Sequence, residues 1–390
     1  MNIVMISGNP IGEFYGGVKV HVEYLSSFLS HFGDLKLNIL TYGNKNTKYE
    51  KNGVNFIVLK RLKFGKILFP IQIFYDLFRL EREVKKLNPD IIHIQSTIPT
   101  FSLFGTYITR RYLTLITLHG YFKEEYKIHT GIEKIFNRVI SVPLEKLALS
   151  KIPNIIVVCP QIMNMIKNYT RSKIFIVPNG VSLKYIEKIK PIKEYNDPTI
   201  FYVGLLNRRK GVHDLIQSMP LVKNKVQNVK LYIGGTGPYI NKLKQLVTAL
   251  DLEKDVIFLG FITDEEKFAY MKAIDIFVLP SYWESFPIVL LEAMASGKPI
   301  ITTDIAGNPF AVTDRVNGYL VKPGDWQQLA EKLIYMFNNK TLISKMGEES
   351  KKRSLDFDWI AIAQQTREIY LKIDGDVKVE IDNKNLKNVT

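Results

Sequence analysis

Short, nearly continuous apolar runs alternate along the chain with longer amphipathic stretches. Such runs are typical of parallel strands buried on both faces, and the stretches between them have helical periodicity. The first half ends its series at the turn signal Pro178-Asn179-Gly180. Its predicted strands are residues 2–8, 35–42, 54–60, 90–96, 114–120, 155–160 and the run that begins at 173.

A second series of the same kind follows a polar, proline-containing segment. Its predicted strands are residues 199–204, 229–235, 256–261, 275–281, 299–303 and 318–321. Two such series in tandem predict two doubly wound α/β domains.

We place a first domain at 1–183 and a second at 191–355, with the boundary near residues 178–191. A last helix is predicted at 358–373, and residues 374–390 read as a polar, mobile tail.

Composition and charge narrow the class of protein. The chain has 390 residues, 46% of them hydrophobic, and one cysteine, Cys159, so it can form neither a disulfide framework nor a cysteine metal site. The first residues lack a signal-peptide pattern, and no apolar run is long enough to span a membrane. We therefore expect a cytoplasmic protein.

The net charge of +15 is concentrated in the first half. Residues 1–190 hold 27 Lys and Arg against 13 Asp and Glu, whereas residues 191–390 hold 26 against 25. This asymmetry indicates an anionic partner for the first half, or only a basic solvated surface.

The stretch SYWESFPIVLLEAMASGKPIITT, residues 281–303, places a carboxylate at each end of an apolar segment. Pro287 suits the first turn of a helix that stops at Gly297. Glu284 then precedes the helix and Glu292 lies inside it. A helix start offers N–H donors to a diphosphate, and the two carboxylates would accept hydrogen bonds from sugar and ribose hydroxyls. A capping carboxylate plus a solvated one is the structural alternative.

The segments FYVGLLNRRKGVHDLIQSM, LYIGGTGP, VIFLGFI and the run from Pro280 to Asp325 occur in this order. Together they resemble the signature of retaining GT-B glycosyltransferases of glycosyltransferase family 4, also called glycosyl transferases group 1. The resemblance covers nearly the whole chain. It implies two Rossmann-like domains facing across a cleft, with a C-terminal helix that crosses back to the N-terminal domain.

The resemblance also implies the site. The implied catalytic set is His119, Glu284 and Lys210. The donor would be bound by Gly16, Gly17, Arg208, Arg209, Lys210, Gly235, Phe261, Ile262, Glu284, Ser285, Phe286 and Glu292. Within this set Glu284 would hold the donor sugar, Glu292 the ribose and Lys210 the diphosphate.

One position departs from the family pattern. Family members usually read Gly-Arg-Leu where this chain has Gly204-Leu205-Leu206, so one cation of the diphosphate site is missing from its usual place. Arg208 or Arg209 would substitute for it, and the sequence leaves both open. Gly235 belongs to a glycine-rich turn that is equally well explained as a tight strand-to-helix connection.

The implied reaction transfers a hexosyl-type sugar from a nucleotide-sugar to a glycan, lipid-linked or other hydroxyl acceptor, with retention and without a metal or other cofactor. His21 and His93 are predicted on the acceptor side, His93 with a core role as the stronger alternative.

Residues 60–86 combine a basic cluster with an apolar, aromatic stretch. They predict either peripheral contact with an anionic membrane or an ordinary packed helix.

Two other functions compete with transfer. A nucleotide-sugar epimerase of the same architecture would use a similar site, but the two glutamates and the TLHG loop at 117–120 argue against it. A nucleic-acid binder rests on charge alone, because the chain has no recognition-helix, zinc-finger or aromatic RNA-binding pattern.

Overall fold

The computed structural model describes residues 1–8, 16–61, 69–128 and 131–387. These residues divide into two compact units, each built on one sheet. Unit 1 contains the described residues of Met1–Asn179 and of the segment from Trp359 onward, and unit 2 is Gly180–Asp358. The first unit ends inside the segment that the sequence predicts as the boundary.

Unit 1 has an eight-stranded sheet in the order β3-β4-β2-β1-β5-β6-β7-β8, parallel except for the β3–β4 pair. The strands are β1 (Asn2–Ile6), β2 (Lys36–Gly43), β3 (Thr47–Lys51), β4 (Val54–Lys60), β5 (Ile91–Ile94), β6 (Leu113–Leu118), β7 (Asn154–Val157) and β8 (Lys173–Ile176). The helices are α1 (Gly17–Leu29), α2 (Phe69–Leu87), α3 (Pro99–Ile108), α4 (Phe122–Glu125), α5 (Gly131–Phe136), α6 (Val142–Lys151) and α7 (Pro160–Ile166).

β3 corresponds to no strand predicted from the sequence. This strand reads TKYEK, is mostly exposed and pairs only with β4, so it lacks the apolar run of the buried strands. The turn that joins the two strands has Asn52 and Gly53 at φ of 51° and 71°. Asn-Gly is the strongest short sequence signal for such a hairpin turn, so residues 52–53 could have predicted that a strand precedes β4.

Unit 2 has a six-stranded parallel sheet in the order β11-β10-β9-β12-β13-β14. The strands are β9 (Thr199–Val203), β10 (Lys230–Gly234), β11 (Val256–Gly260), β12 (Ile276–Leu279), β13 (Ile300–Thr303) and β14 (Gly318–Val321). The helices are α8 (Leu183–Lys188), α9 (Val212–Lys223), α10 (Ile240–Ala249), α11 (Asp264–Ala273), α12 (Ile288–Ala295), α13 (Asn308–Ala311), α14 (Trp326–Phe337) and α15 (Lys340–Ser354). The predicted fold class, two doubly wound α/β units, is confirmed.

The last helix, α16 (Trp359–Lys387), returns to unit 1. Trp359, Ile362 and Tyr370 join the core of that unit, where they pack with α1 and the central strands. The helix is longer than the predicted 358–373 and continues through much of the segment expected to be a mobile tail. Gly375 is the only strong helix-weakening residue in the continuation, and a single glycine costs a helix only about 1 kcal/mol.

Candidate donor site and a buried histidine network

The sheet order of unit 2 changes direction between β9 and β12, which are neighbours at its centre. The loops that leave these strands therefore lie side by side at the position where open α/β sheets bind ligands. Tyr282 N donates to Arg209 O at 2.8 Å, which ties the two loops together. Gly211 has φ of 66°, and a Cβ there would lie 2.0 Å from Pro280 O, so only glycine allows this approach.

Lys210 and Glu284 meet across these loops. Lys210 Nζ lies 2.5 Å from Glu284 Oε1, and both side chains are largely buried. The loop that carries Lys210 is fixed by Asn207, whose side chain accepts from Lys210 N at 3.1 Å. Burial favours a higher pKa for Glu284, but Lys210 and Arg209 outweigh it and lower the pKa. Glu284 is therefore an ionised carboxylate beside cations.

The two candidate arginines lie in different surroundings. Arg209 is half-buried, donates from Nη1 to Trp283 O at 2.9 Å and helps to lower the Glu284 pKa. Arg208 is exposed, and its charge acts instead on His213 and Tyr282. Leu205 is 51% exposed, so the leucine that stands in the arginine position is not held in the core. Arg209 is thus the arginine on the Glu284 side.

Glu292 lies on α12, is 8% exposed and has its own lysine partner. Its Oε1 is 2.7 Å from Lys267 Nζ, which also pairs with Asp264 at 3.0 Å. Burial raises the Glu292 pKa, although Lys267 opposes the rise. Lys267 was not found by sequence reasoning, because nothing in TDEEK shows that its lysine reaches α12.

The segment between the two carboxylates differs slightly from the prediction. Pro287 is extended, at φ of −77° and ψ of 123°, and caps α12 instead of forming its first turn. Ser285 is nearly buried, and the Phe286 ring packs on Phe310 and Phe357, so only the backbone of these residues fits the predicted contact with a ligand.

The glycine-rich turn after β10 has a packing reason. Gly235 has φ of 120°, and a Cβ there would lie 2.0 Å from Gly204 O. The amide of Gly235 donates to Gly260 O at 2.7 Å. These contacts favour the structural alternative for Gly235. Phe261, by contrast, is 54% exposed just after β11, and Ile262 beside it is half-buried.

In unit 1, His119 is half-buried and lies at one end of a network of polar side chains. Its Nε2 donates to Gln95 Oε1 at 2.9 Å, which joins the loops after β6 and β5. The His21 ring stands edge-on to the His119 ring at 4.4 Å between centroids, and His21 Nδ1 bonds Asn179 Oδ1 at 2.8 Å. Burial lowers the pKa of His119 well below its usual value and that of His21 to about 4, so both rings are neutral at pH 7.

His93 extends this network into the core. It is fully buried, with Nδ1 2.6 Å from Tyr370 Oη and Nε2 2.7 Å from Thr117 Oγ1. Burial lowers its pKa to about 3. With both ring nitrogens engaged, His93 ties β5 to β6 and α16, and this favours the core role over the acceptor-side one.

Gly16 and Gly17 stand at the start of α1, next to residues 9–15, which lie outside the description. Gly16 is the extended N-cap, at φ of −148°. Gly17 is exposed, and a Cβ added to it would meet no atom within 4 Å. Packing among the described residues therefore does not require this glycine.

Among residues 1–8, 16–61, 69–128 and 131–387, no group of three or more His, Cys, Asp and Glu side chains is arranged to hold a metal ion. Within the same part of the chain, no helix combines the length and apolarity needed to cross a bilayer.

Comparison with protein families gives two adjoining matches. The model described as Glycosyl transferases group 1 matches residues 184–353, and the model described as Glycosyltransferase Family 4 matches residues 15–185. An uncharacterized glycosyltransferase of Methanocaldococcus jannaschii is 26% identical over 392 residues, which cover 95% of this chain and 98% of that protein.

Solved structures show the same architecture. Sucrose-phosphate synthase of Thermosynechococcus elongatus aligns with a TM-score of 0.85 at 22% identity, over 96% of this chain and 99% of that one. HepE of Anabaena, solved with UDP and glucose, aligns with a TM-score of 0.75 at 19% identity, over 95% of this chain and all of that one. At these identities the likeness shows the fold.

Proposed function

Because the chain belongs to glycosyltransferase family 4 and is a glycosyltransferase of GT-B type, we propose that it is a retaining hexosyltransferase. Its donor is a nucleoside diphosphate sugar, and its acceptor is a hydroxyl of a glycan or lipid-linked molecule. The observation that carries the proposal is the buried Lys210–Glu284 pair at the carboxyl ends of β9 and β12. No observation favours the epimerase or the nucleic-acid binder.

The site chemistry follows from what the reaction does to charge. The bond between the sugar C1 and the phosphate oxygen breaks, and the diphosphate gains negative charge while the sugar becomes oxocarbenium-like. Lys210 and Arg209 stabilise that charge, as preorganised cations do at a leaving group. A new bond forms from C1 to the acceptor oxygen on the same face, and the hydroxyl proton passes to the departing phosphate. No metal is required in this scheme.

The two glutamates have separate tasks in this proposal. Glu284 is ionised and accepts hydrogen bonds from the donor sugar hydroxyls, and Glu292 accepts from the ribose hydroxyls. Lys267 holds Glu292 at 2.7 Å before the donor arrives. The backbone of Ser285 and Phe286 contacts the sugar or phosphate, and exposed Phe261 provides apolar contact for the base. HepE was solved with UDP, so uridine donors are the first to test.

Donor binding is tested by thermal shift with UDP-, GDP-, ADP- and dTDP-glucose. Wild type, Glu292→Ala and Lys345→Ala are compared, the last an exposed lysine of α15 outside the site. We expect one nucleotide class to raise the melting temperature of wild type and Lys345→Ala, and Glu292→Ala to lose the shift. An equal shift in all three variants, or none with any donor, would contradict the proposal.

We also propose that the acceptor side works at an anionic membrane surface. Ile71, Phe74 and Phe78 share one face of α2 and are 55%, 73% and 65% exposed. Exposed Arg82 and Lys85 continue that face at helical spacing. An apolar stripe beside basic residues suits the boundary between headgroups and acyl chains. Part of the predicted basic segment, residues 62–68, lies outside the described residues.

Co-sedimentation with phosphatidylcholine vesicles, with and without phosphatidylglycerol, tests membrane binding. Wild type should pellet with the anionic vesicles at low salt, and the double variant Phe74→Ser, Phe78→Ser should stay in solution. Tyr335→Ser, a change at a similarly exposed aromatic residue of unit 2, serves as the control and should behave as wild type. A wild-type protein that stays in solution would overturn this part.

A further inference from the structure

Unit 1 contains a buried carboxylate that the proposed chemistry does not use. Glu145 lies in the middle of α6 and is 0% exposed. A carboxyl group loses its water on burial, and this costs free energy unless hydrogen bonds within the protein replace those to water. Nothing in the sequence VPLEKLALSK separates this glutamate from an ordinary surface residue of a helix.

Three donors surround the Glu145 carboxylate. Thr97 Oγ1 donates to Oε1 at 2.9 Å, and Phe122 N donates to the same oxygen at 3.2 Å. Lys123 N donates to Oε2 at 3.3 Å. The hydroxyl belongs to the loop after β5, and the two amides belong to the first turn of α4, which follows β6. One side chain thus holds the loops of two neighbouring strands.

These are the loops that carry the Gln95–His119 hydrogen bond. Thr97 follows Gln95 by two residues, and Phe122 follows His119 by three. Gln95 Oε1 and His119 Nε2 are 2.9 Å apart, and this contact decides which ring nitrogen of His119 carries the proton. A shift of either loop by a fraction of an ångström would lengthen the bond and free the ring to turn.

Packing alone gives no reason for a carboxylate at this position. α6 packs on α3, and an aliphatic side chain would serve that contact without the cost of burying a polar carboxyl group. What an aliphatic residue cannot do is accept hydrogen bonds from both loops at once. The acceptor geometry of Glu145 therefore accounts for its presence.

We propose that Glu145 is a positioning residue that clamps the loops after β5 and β6 and thereby sets the orientation and protonated nitrogen of His119. Its effect on turnover rests on the proposed function and on the catalytic role that the family resemblance implies for His119. Its effect on the His119 ring does not rest on that function and is measured separately.

The test compares Glu145→Gln and Glu145→Leu with Asp76→Asn. The glutamine keeps the size but turns an N–H₂ group toward the amide of Lys123 or of Phe122, and the leucine accepts nothing. Asp76 is a second buried carboxylate of unit 1, on α2, beside Tyr42 and Arg79 and outside the two loops. It controls for the loss of a buried carboxylate as such.

The first readout is NMR of ring-¹⁵N-labelled histidine in the full chain without substrate, with His119 assigned by His119→Gln. We expect the His119 ring nitrogens to shift and broaden in Glu145→Leu, less so in Glu145→Gln, and to match wild type in Asp76→Asn. The signals of His213, in unit 2, should not move in any variant. Unchanged His119 signals in Glu145→Leu would overturn the clamp, whatever the activity.

The second readout is turnover, followed as release of nucleoside diphosphate from the donor that binds, well below the melting temperature of each variant. We expect kcat to fall about 10- to 100-fold in Glu145→Leu with the donor KM nearly unchanged, since misplacement of a reacting geometry acts on the chemical step. A fall no larger than that of Asp76→Asn would overturn the positioning role. If wild type turns over no donor, the proposed function fails and the NMR result still decides the clamp.

Discussion

The donor site of unit 2 and the histidine network of unit 1 differ in how their buried polar groups are paired. In unit 2, Glu284 and Glu292 are each held by a lysine at 2.5 Å and 2.7 Å. In unit 1, His21, His93 and His119 are joined to Gln95, Asn179 and Tyr370 by hydrogen bonds between neutral groups. The region of unit 2 thus contains buried charges in ion pairs, whereas the histidine network of unit 1 consists of uncharged groups.

The difference fits two kinds of work. A buried lysine that loses its carboxylate partner leaves an unpaired charge, which costs free energy. Lys210 can therefore turn from its carboxylate to a phosphate only when that phosphate is already bound. Such a site suits an ionic ligand that gains charge as it leaves. A network of uncharged groups, by contrast, can orient a histidine ring and an acceptor hydroxyl without adding the electrostatic field of a net charge.

Removal of one charge from unit 2 should have the largest effect. Lys210→Ala leaves the ionised, buried Glu284 without its nearest cation and takes a cation from the leaving diphosphate. We expect kcat to fall at least ~100-fold, as when one preorganised donor of a charged transition state is lost. Stability should fall by about 3 kcal/mol, the usual cost of leaving a buried charge unpaired.

Lys345→Ala, on the surface of α15, is the control for Lys210→Ala and should change neither quantity. The measurements are nucleoside diphosphate release and thermal unfolding of the apo protein. Wild-type turnover in Lys210→Ala would end the comparison between the regions, because the paired charges would then have no part in the reaction.

Much of unit 2 could be read from the sequence, and much of the network in unit 1 could not. Lys210, Glu284 and Glu292 belong to motifs that resemble a known family signature. Chain order then places Lys210 and Glu284 on the loops after β9 and β12, and Glu292 on α12. Glu145, Gln95 and Asn179 have no such pattern. Their partners are 22 to 158 residues away along the chain, and only tertiary packing decides that they are buried.

The same limit explains the smaller differences in the fold. β3 was missed because an exposed edge strand has no apolar alternation, and the extent of α16 was set too short because composition resembled a tail. The pairing of Glu292 with Lys267 and the different surroundings of Arg208 and Arg209 depend on side-chain directions, which spacing along a loop does not determine.

The stability of unit 1 should depend on pH through its neutral histidines. Burial lowers the pKa of His21 to about 4 and that of His93 to about 3, and lowers that of His119 strongly, so the folded unit resists protonation. The unfolded chain takes up these protons below about pH 6.5. The contribution of the histidines to the free energy of unfolding is therefore complete above pH 6.5. It falls as the pH drops, by up to about 1.4 kcal/mol per pH unit for each histidine.

Glu145 has the opposite effect on the pH dependence of stability: it makes unit 1 less stable as the pH rises. Burial raises its pKa to about 8, although Thr97 and the amides of Phe122 and Lys123 oppose the rise and Glu125 adds to it. Its folded pKa is above its unfolded one, so its contribution is complete at acid pH and is lost as the pH rises through 8. The nearby Tyr121 has its own pKa raised by burial and stays neutral over this range. We expect the stability of unit 1 to be greatest near pH 6.5.

The measurement follows unfolding by the fluorescence of Trp359, in unit 1, after Trp283→Phe and Trp326→Phe remove the other two tryptophans. In this background His93→Gln should reduce the acid slope by about one proton. His31→Gln, at an exposed histidine, should leave the slope unchanged. A flat profile between pH 5 and 6.5 would mean that the network is charged, and the contrast with unit 2 would disappear.

The smallest effect concerns the two arginines, and it tests how local the charged region is. Arg209 donates to Trp283 O and lowers the pKa of Glu284, whereas the charge of Arg208 acts to lower the pKa values of His213 and Tyr282. Because electrostatic stabilisation of the diphosphate depends on distance and burial, Arg209→Ala should lower kcat about tenfold and Arg208→Ala less than about threefold. Equal losses would show that both arginines act on the diphosphate. A larger loss in Arg208→Ala would assign the missing family cation to Arg208 and place the leaving group on the His213 side of the loop.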